Sequence, residues 1–172
     1  TVVIGLVAAA MVFPLSAQEQ QEGKQLHSPR LRSLRNVMFD RISLQQGLPN
    51  ATMAMILQDR KGFMWFSTQG GLCRYDGHRI RVFQNSESDS TTISGVNVIA
   101  ILEDRNGTIW IATEGDGLNA YDPSTDKFTR YLPRAGDSSS LSDGFLRSLY
   151  EDSEGNLWIG TMHGLEKLSH AS

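Results

Sequence analysis

Asp59-Arg60-Lys61-Gly62-Phe63-Met64-Trp65-Phe66-Ser67-Thr68 is the stretch that decides the fold, because the chain contains it three times. It returns as Asp104-Arg105-Asn106-Gly107-Thr108-Ile109-Trp110-Ile111-Ala112-Thr113 and as Asp152-Ser153-Glu154-Gly155-Asn156-Leu157-Trp158-Ile159-Gly160-Thr161. The tryptophans of the three copies lie 45 and then 48 residues apart. A repeat of this period, made of strand-like segments, is typical of propeller blades.

Each repeat divides into short apolar runs separated by turn residues, and no run has the length and caps of a helix. In the second repeat the predicted strands are residues 96–103, 108–113, 118–121 and 127–132. We therefore predict an all-β fold of four-stranded antiparallel blades. The repeats lie at about residues 48–92, 93–140 and 141–172.

The first hairpin of each repeat turns at the pattern Asp-x-x-Gly. An aspartate at the start of a turn accepts from the backbone two residues on, and glycine tolerates a positive φ. A type I turn followed by a left-handed residue is a common hairpin, so we expect each glycine to be left-handed. The residues of this pattern are Asp59, Gly62, Asp104, Gly107, Asp152 and Gly155.

A tryptophan follows each of these glycines at the third position. A bulky residue at one site of every blade is expected to pack between neighbouring sheets. The alternative is a row of exposed aromatic side chains lining a sugar groove. A Gly-Leu pair then opens the third strand of each repeat. The tryptophans are Trp65, Trp110 and Trp158, and the glycines of the pairs are Gly71, Gly117 and Gly164.

Both ends of the repeat array are incomplete. Residues 39–42 resemble a fourth strand, and in closed propellers such a strand can complete the last blade. The third repeat stops near Leu168, before any fourth strand. Propellers have about four to eight blades, so we expect an open arc of about three blades and an N-terminal fragment of a longer protein. Its partners would be the remaining blades, and residues 18–172 alone should be poorly soluble, with weak folding cooperativity.

The N-terminal residues predict export. Residues 1–17 are uncharged and largely apolar and end in small residues, which is typical of a signal peptide, here one that is truncated. A buried apolar element is the alternative. Residues 18–36 are predicted to be a polar linker, and residues 37–172 the partial propeller. Export would place the chain in an oxidising compartment, but Cys73 is its only cysteine and cannot form a disulfide within the chain. We therefore expect Cys73 to pack as a small hydrophobic residue rather than to be a reactive thiol.

Charge and motifs exclude several functions. The formal charge is −3 with no basic run, which argues against a nucleic-acid partner. No nucleophile elbow, calcium loop or phosphate loop is complete, so we predict no catalytic residue, metal or cofactor. Loops of several blades converge at one end of a propeller channel, and a polar ligand there would meet Glu114, Asp116 and His163. The alternative is that these loops are simply solvated.

The repeats resemble the two-component regulator propeller repeat. The resemblance rests on residues 47–50, 56–68 and 71–77 and on their counterparts in the other two repeats. It implies a seven-bladed propeller in a periplasmic sensor region. It also implies a membrane-anchored homodimeric parent with a histidine kinase or diguanylate cyclase output. Ligands of such sensors include oligosaccharides.

The leading hypothesis is therefore a non-enzymatic sensor module. One alternative is a propeller enzyme of the streptogramin-lyase type, whose repeats contain similar Gly-x-Ile-Trp strands. The pattern of residues 71–77 and the lack of candidate base residues argue against that enzyme. The other alternative is a secreted scaffold whose blades only bind partners.

Overall fold

The structure, a computed structural model, describes residues 38–169. The predicted signal peptide and linker lie outside the described residues. Within them the chain has eleven strands and one short 3-10 turn, Leu44–Gln46. The strands are β1 Met53–Gln58, β2 Met64–Thr68, β3 Gly71–Tyr75, β4 Ile80–Phe83, β5 Val98–Glu103, β6 Ile109–Thr113, β7 Leu118–Asp122, β8 Lys127–Tyr131, β9 Leu146–Glu151, β10 Leu157–Thr161 and β11 Leu165–Leu168.

The strands form three antiparallel sheets in which sequence neighbours pair. Strands β1–β4 and β5–β8 make four-stranded sheets, and β9–β11 make a three-stranded sheet. The all-β prediction and the four-strand division of the second repeat are confirmed. Residues 39–42 belong to no strand, although their sequence resembles one, because a strand needs a pairing partner and no described strand supplies it.

The sheets stand side by side as blades with their first strands innermost. Strand β1 contacts β5, and β5 contacts β9. The second strand of each sheet also contacts the first strand of the next, in the pairs β2 with β5 and β6 with β9. No helix in residues 38–169 has the length and apolar character needed to cross a membrane.

The repeated tryptophans pack between blades, as the sequence predicts. Trp65 is 1% exposed, stacks on Phe83 at 5.6 Å between ring centroids and meets the edge of Tyr121 at 5.3 Å. Trp110 is buried in the equivalent cluster between the second and third blades. Trp158 is half-buried because no described blade covers its far side. The alternative of an exposed aromatic groove is wrong for the first two.

The Asp-x-x-Gly turns have a second role that the sequence did not reveal. The glycines have φ values of 89°, 85° and 88° in the three repeats, which confirms the left-handed prediction. In the second turn Asp104 Oδ1 accepts from the N–H groups of Asn106 and Thr108, both at 2.9 Å. Its other oxygen accepts from the indole N–H of Trp110 at 2.8 Å. Asp59 and Asp152 bond their own tryptophans at the same distance, so each aspartate ties its turn to the inter-blade core.

The Gly-Leu glycines make room for the fourth strand. A Cβ on Gly71 would lie 2.7 Å from the carbonyl oxygen of Phe83, and one on Gly117 would lie 2.5 Å from that of Tyr131. A Cβ on Gly164 would meet nothing within 4 Å. The difference follows from the described third sheet, which has no fourth strand against Gly164.

Cys73 lies in a core cluster on the face of the first blade that points away from the second blade. It is fully buried with Phe66 and Leu48. Burial raises the pKa of its thiol to about 11. The prediction that Cys73 packs as a small hydrophobe is therefore confirmed.

Arginine bridges join consecutive blades at the end that carries the Asp-x-x-Gly turns. Arg60 donates its backbone N–H to Glu103 at 2.9 Å and its guanidinium to the carbonyl of Arg105 at 2.7 Å. Arg105 in turn donates Nε to Glu151 at 2.6 Å and its backbone N–H to the same carboxylate at 3.0 Å. The third repeat has Ser153 at this position. Each bridge thus runs from one blade to the following one.

Candidate functional site

Three loops meet at the end of the blades opposite the arginine bridges. They are residues 113–117, 142–145 and 161–164. The N–H groups of Gly115 and Gly117 donate to the carbonyl of Gly144 at 3.0 and 3.1 Å. Met162 donates its N–H to Phe145 at 3.0 Å. These backbone bonds hold the loops of the second and third blades together, which is where the sequence placed the candidate ligand residues.

Glu114 is the centre of a polar cluster across the two blades. Its carboxylate accepts from Asn97 Nδ2 at 2.6 Å and from Arg147 Nη1 at 2.8 Å. Arg147 lies at the start of the innermost strand β9, and its Nη2 contacts Met162 Sδ at 3.2 Å. The Glu114 and Arg147 side chains are 32% and 42% exposed, so both the ion pair and its surroundings are open to solvent.

His163 forms a separate pair. Its Nδ1 lies 2.7 Å from Asp143 Oδ2, and the ring is 78% exposed. The backbone N–H of Phe145, and then His163 itself, hold the pKa of the Asp143 carboxyl below its usual range. A carboxylate that stays ionised keeps the imidazole oriented by its Nδ1 side.

Asp116 faces a different surface. Its side chain is exposed and lies against the backbone of Gly95. It lines a shallow cavity of about 250 Å³ together with Ser94, Arg130 and Leu132. Among the described residues, no hydrogen bond or ion pair joins the side chain of Asp116 or of His163 to that of Glu114. The structure therefore places the three predicted residues at one end of the blades without joining them in one cluster.

This end of the blades combines charged and polar side chains with one exposed aromatic residue. Phe145 is 46% exposed and is joined to Glu114 by an isolated antiparallel backbone bridge. In residues 38–169 no group of His, Cys, Asp and Glu side chains is placed to hold a metal ion. Sequence reasoning missed Arg147, Asn97 and Asp143. The sequence pattern could have indicated Arg147. Side chains alternate between the two faces of a strand, and Arg147 follows the buried Leu146 at the start of β9.

The sequence profile of the two component regulator propeller family matches residues 47–70, 92–115 and 140–163. The three matched segments coincide with the three copies of the repeated stretch, one in each sheet. Each match includes the Asp-x-x-Gly turn, the tryptophan and the start of the loop that follows the second strand. Glu114 and His163 therefore lie inside the matched repeats, and Asp116 lies one residue beyond.

Longer proteins contain similar arcs. The extracellular domain assigned to the hybrid two component system BT3049 of B. thetaiotaomicron is 33% identical, with a TM-score of 0.72, over 76% of this chain and 19% of that one. Histidine kinase P4 of Formosa agariphila is 37% identical over 59 residues, which are 34% of this chain and 4% of the kinase. The chain therefore spans about a fifth of the first relative and a small part of the second.

The streptogramin-lyase hypothesis also has a structural counterpart. Streptogramin B lyase is 21% identical, with a TM-score of 0.52, over 72% of this chain and 39% of the lyase. At this level of identity the likeness shows the propeller fold alone.

Proposed function

We propose that the chain is part of the extracytoplasmic ligand-sensing region of a signal-transduction protein with a histidine kinase output. The observation that carries the proposal is the likeness of these blades to the extracellular domain of a hybrid two component system. The compartment would be the periplasm, and the complete protein a membrane-anchored homodimer. A diguanylate cyclase is the alternative output.

The proposed ligand is a neutral polar molecule such as an oligosaccharide. Sugar hydroxyl groups both donate and accept, so they suit the mixed set of Glu114, Asn97 and Arg147. Phe145, whose backbone pairs with that of Glu114, offers an exposed apolar face at the same end of the blades. Sites of this kind combine a few polar groups that fix orientation with aromatic surface.

The Glu114–Arg147 pair also suggests how binding could be transmitted. Glu114 belongs to the second blade and Arg147 to the third, and their side chains meet at 2.8 Å. A ligand that bonds to either group competes with this inter-blade contact. Binding shifts a conformational equilibrium only as far as the ligand prefers one arrangement over the other. A ligand that prefers the separated pair would therefore change how the two blades are placed.

Hydrogen exchange of the full chain with a panel of defined oligosaccharides tests the proposal. We expect an active oligosaccharide to protect residues 113–117, 142–145 and 161–164, and Arg147→Gln to weaken its binding by at least about tenfold. Arg81→Gln is the matched control, because Arg81 also forms an exposed ion pair, with Asp126, but on the outer part of the blades. Protection elsewhere, or equal binding by both variants, would contradict the site. No binding across the panel would contradict the ligand class.

Two further measurements separate the alternative functions. Turnover of a streptogramin by the completed propeller would favour the lyase hypothesis. A complete protein that lacks both a membrane segment and an output domain would contradict the sensor and favour the secreted scaffold.

A further inference from the structure

Strand β8 fills the interface between the first and second blades with two side chains. Phe128 is 6% exposed, and its ring lies 5.5 Å from that of Phe83 and 5.0 Å from that of Tyr121. Arg130 follows two residues later, so its side chain lies on the same face of the strand. This pair, an aromatic and then an arginine, covers the outer part of the interface.

Arg130 reaches into the loop that leads to the second blade. Its Nε donates to the carbonyl of Thr92 at 2.7 Å, and Nη2 donates to Thr92 Oγ1 at 2.7 Å and to the carbonyl of Asp89 at 2.9 Å. The carbonyls of Ser86 and Ile93 lie at 3.2 Å from Nη2. We call this ring of backbone oxygens the carbonyl socket. A planar guanidinium with several donors suits it better than an ammonium group does.

The equivalent place between the second and third blades is a cavity of about 640 Å³. The apolar residues around Phe128 include Leu72, Phe83, Ile93, Ile111 and Tyr121. Their repeat counterparts all line the cavity, and they are Leu118, Tyr131, Leu141, Ile159 and Leu168. The phenyl ring of Phe83 is covered, at 6% exposure, whereas its counterpart Tyr131 is 37% exposed. The second interface thus has the walls of the first without the aromatic that fills it.

A second carbonyl socket is already formed beside this cavity. Residues 137–141 repeat the pattern of residues 89–93 and line the cavity. Ser140 Oγ donates to the carbonyl of Asp137 at 2.8 Å, as Thr92 Oγ1 donates to that of Asp89 at 2.9 Å. The backbone bonds match as well, at 3.1 and 3.2 Å. The loop therefore holds the geometry that receives Arg130 in the first interface.

We propose that this cavity docks an extended strand that pairs antiparallel with β11. The strand places an aromatic side chain between the second and third blades and an arginine, two residues later, in the socket of residues 134–141. In the described sheet β11 pairs on one side only, with β10. The occupant is a β-strand from outside residues 38–169 that carries an aromatic side chain and, two residues later, an arginine, as β8 does with Phe128 and Arg130. The inference does not depend on any small-molecule ligand.

A peptide that copies residues 125–132 tests the docking site, because it carries Phe128 and Arg130 in their natural spacing. Titration of the labelled peptide with the full chain should show saturable binding with one peptide per chain. Peptides with Arg130→Lys or Phe128→Ala should bind at least about tenfold more weakly. Equal binding by the three peptides, or no binding, would overturn the proposal.

Variants of the chain locate the peptide. Leu168→Asp places a charge in the cavity wall and should abolish binding, whereas Leu165→Asp, at a residue of the same strand that is 66% exposed and does not line the cavity, should leave it unchanged. If a second copy fills the cavity with its own β8, the chain will have the mass of a dimer and will not bind the peptide, which overturns the proposal.

A covalent form of the experiment tests the same site by an independent measurement. A copy of residues 122–132 attached directly after Leu168 should raise the thermal midpoint of the chain. The same extension with alanine in place of its aromatic and arginine should not. Equal midpoints for the two extensions would contradict the docking site, whatever the outcome of the ligand experiments.

Discussion

Replacing Asp104 by alanine should separate the turn of the second blade from the inter-blade core. The carboxylate is 2% exposed and accepts three hydrogen bonds, two from backbone N–H groups and one from the indole of Trp110. Alanine leaves all three donors without this acceptor. The two turn donors can regain water because they lie near the surface, whereas the indole N–H stays in the core.

The expected loss is about 3–5 kcal/mol of unfolding free energy. A buried donor left unpaired costs roughly 1–3 kcal/mol, and each bond to a charged acceptor contributes about 1.5–3 kcal/mol before the turn donors are rehydrated. Losses of this size are exceptional for single substitutions and mark a broken buried network. Asp104→Asn should cost less than Asp104→Ala, because the amide oxygen can still accept from the turn. Some loss remains, since the amide NH₂ then faces the indole N–H.

Urea unfolding followed by tryptophan fluorescence measures the loss. A double-mutant cycle with Trp110→Phe isolates the indole bond, and we expect a coupling of about 1–2 kcal/mol because the two substitutions remove the same contact. Asp89→Ala is the control, since that exposed aspartate caps a turn but bonds no tryptophan. A loss for Asp104→Ala no larger than that of the control, or a coupling near zero, would refute the reasoning.

Three further predictions concern a glycine, the thiol and an ion pair. Gly117→Ala should cost about 2–4 kcal/mol in urea unfolding, more than Gly136→Ala, since both have positive φ but only Gly117 faces a carbonyl; equal losses would contradict this. The Cys73 thiol, with its pKa raised to about 11, should react with a disulfide reagent at least about 100-fold more slowly in the native chain than in urea; fast native labelling would show that it is accessible. The Arg81 guanidinium holds the pKa of Asp126 below its usual value, so the stability from this pair is present above about pH 4 and is lost as the pH falls through the lower folded-state pKa. Arg81→Gln should reduce this loss of unfolding free energy at acidic pH, and an unchanged dependence of stability on pH would argue against the pair.

The blade architecture was predictable because its determinants are local. The left-handed glycines, the aspartate turns and the strand lengths are set within a few residues of one another. The burial of Trp65 and Trp110 followed from repetition alone, since a bulky residue at one site of every blade needs a neighbour to cover it. Local rules also explain the miss at residues 39–42, because strand-like sequence forms a strand only when another strand pairs with it.

Two contacts that the sequence did not reveal join different blades. The bridge from Arg105 to Glu151 links residues that are 46 positions apart. Glu114 was a candidate, but its partner Arg147 lies 33 positions away in the next blade. Such pairs depend on the angle between blades, which no local pattern encodes. The carbonyl socket was missed for the same reason, since Arg130 reaches back about 40 positions to the loop that it fills.

The arginine bridges give the array a polarity. The second blade accepts from Arg60 at Glu103 on one side, and on its other side it donates from Arg105 to Glu151 of the third blade. A surface that donates is therefore complementary to a different surface and not to itself. Blades joined in this way can only add head to tail, which closes into a ring or continues as an open helix. A twofold dimer of such blades would have to use some other face.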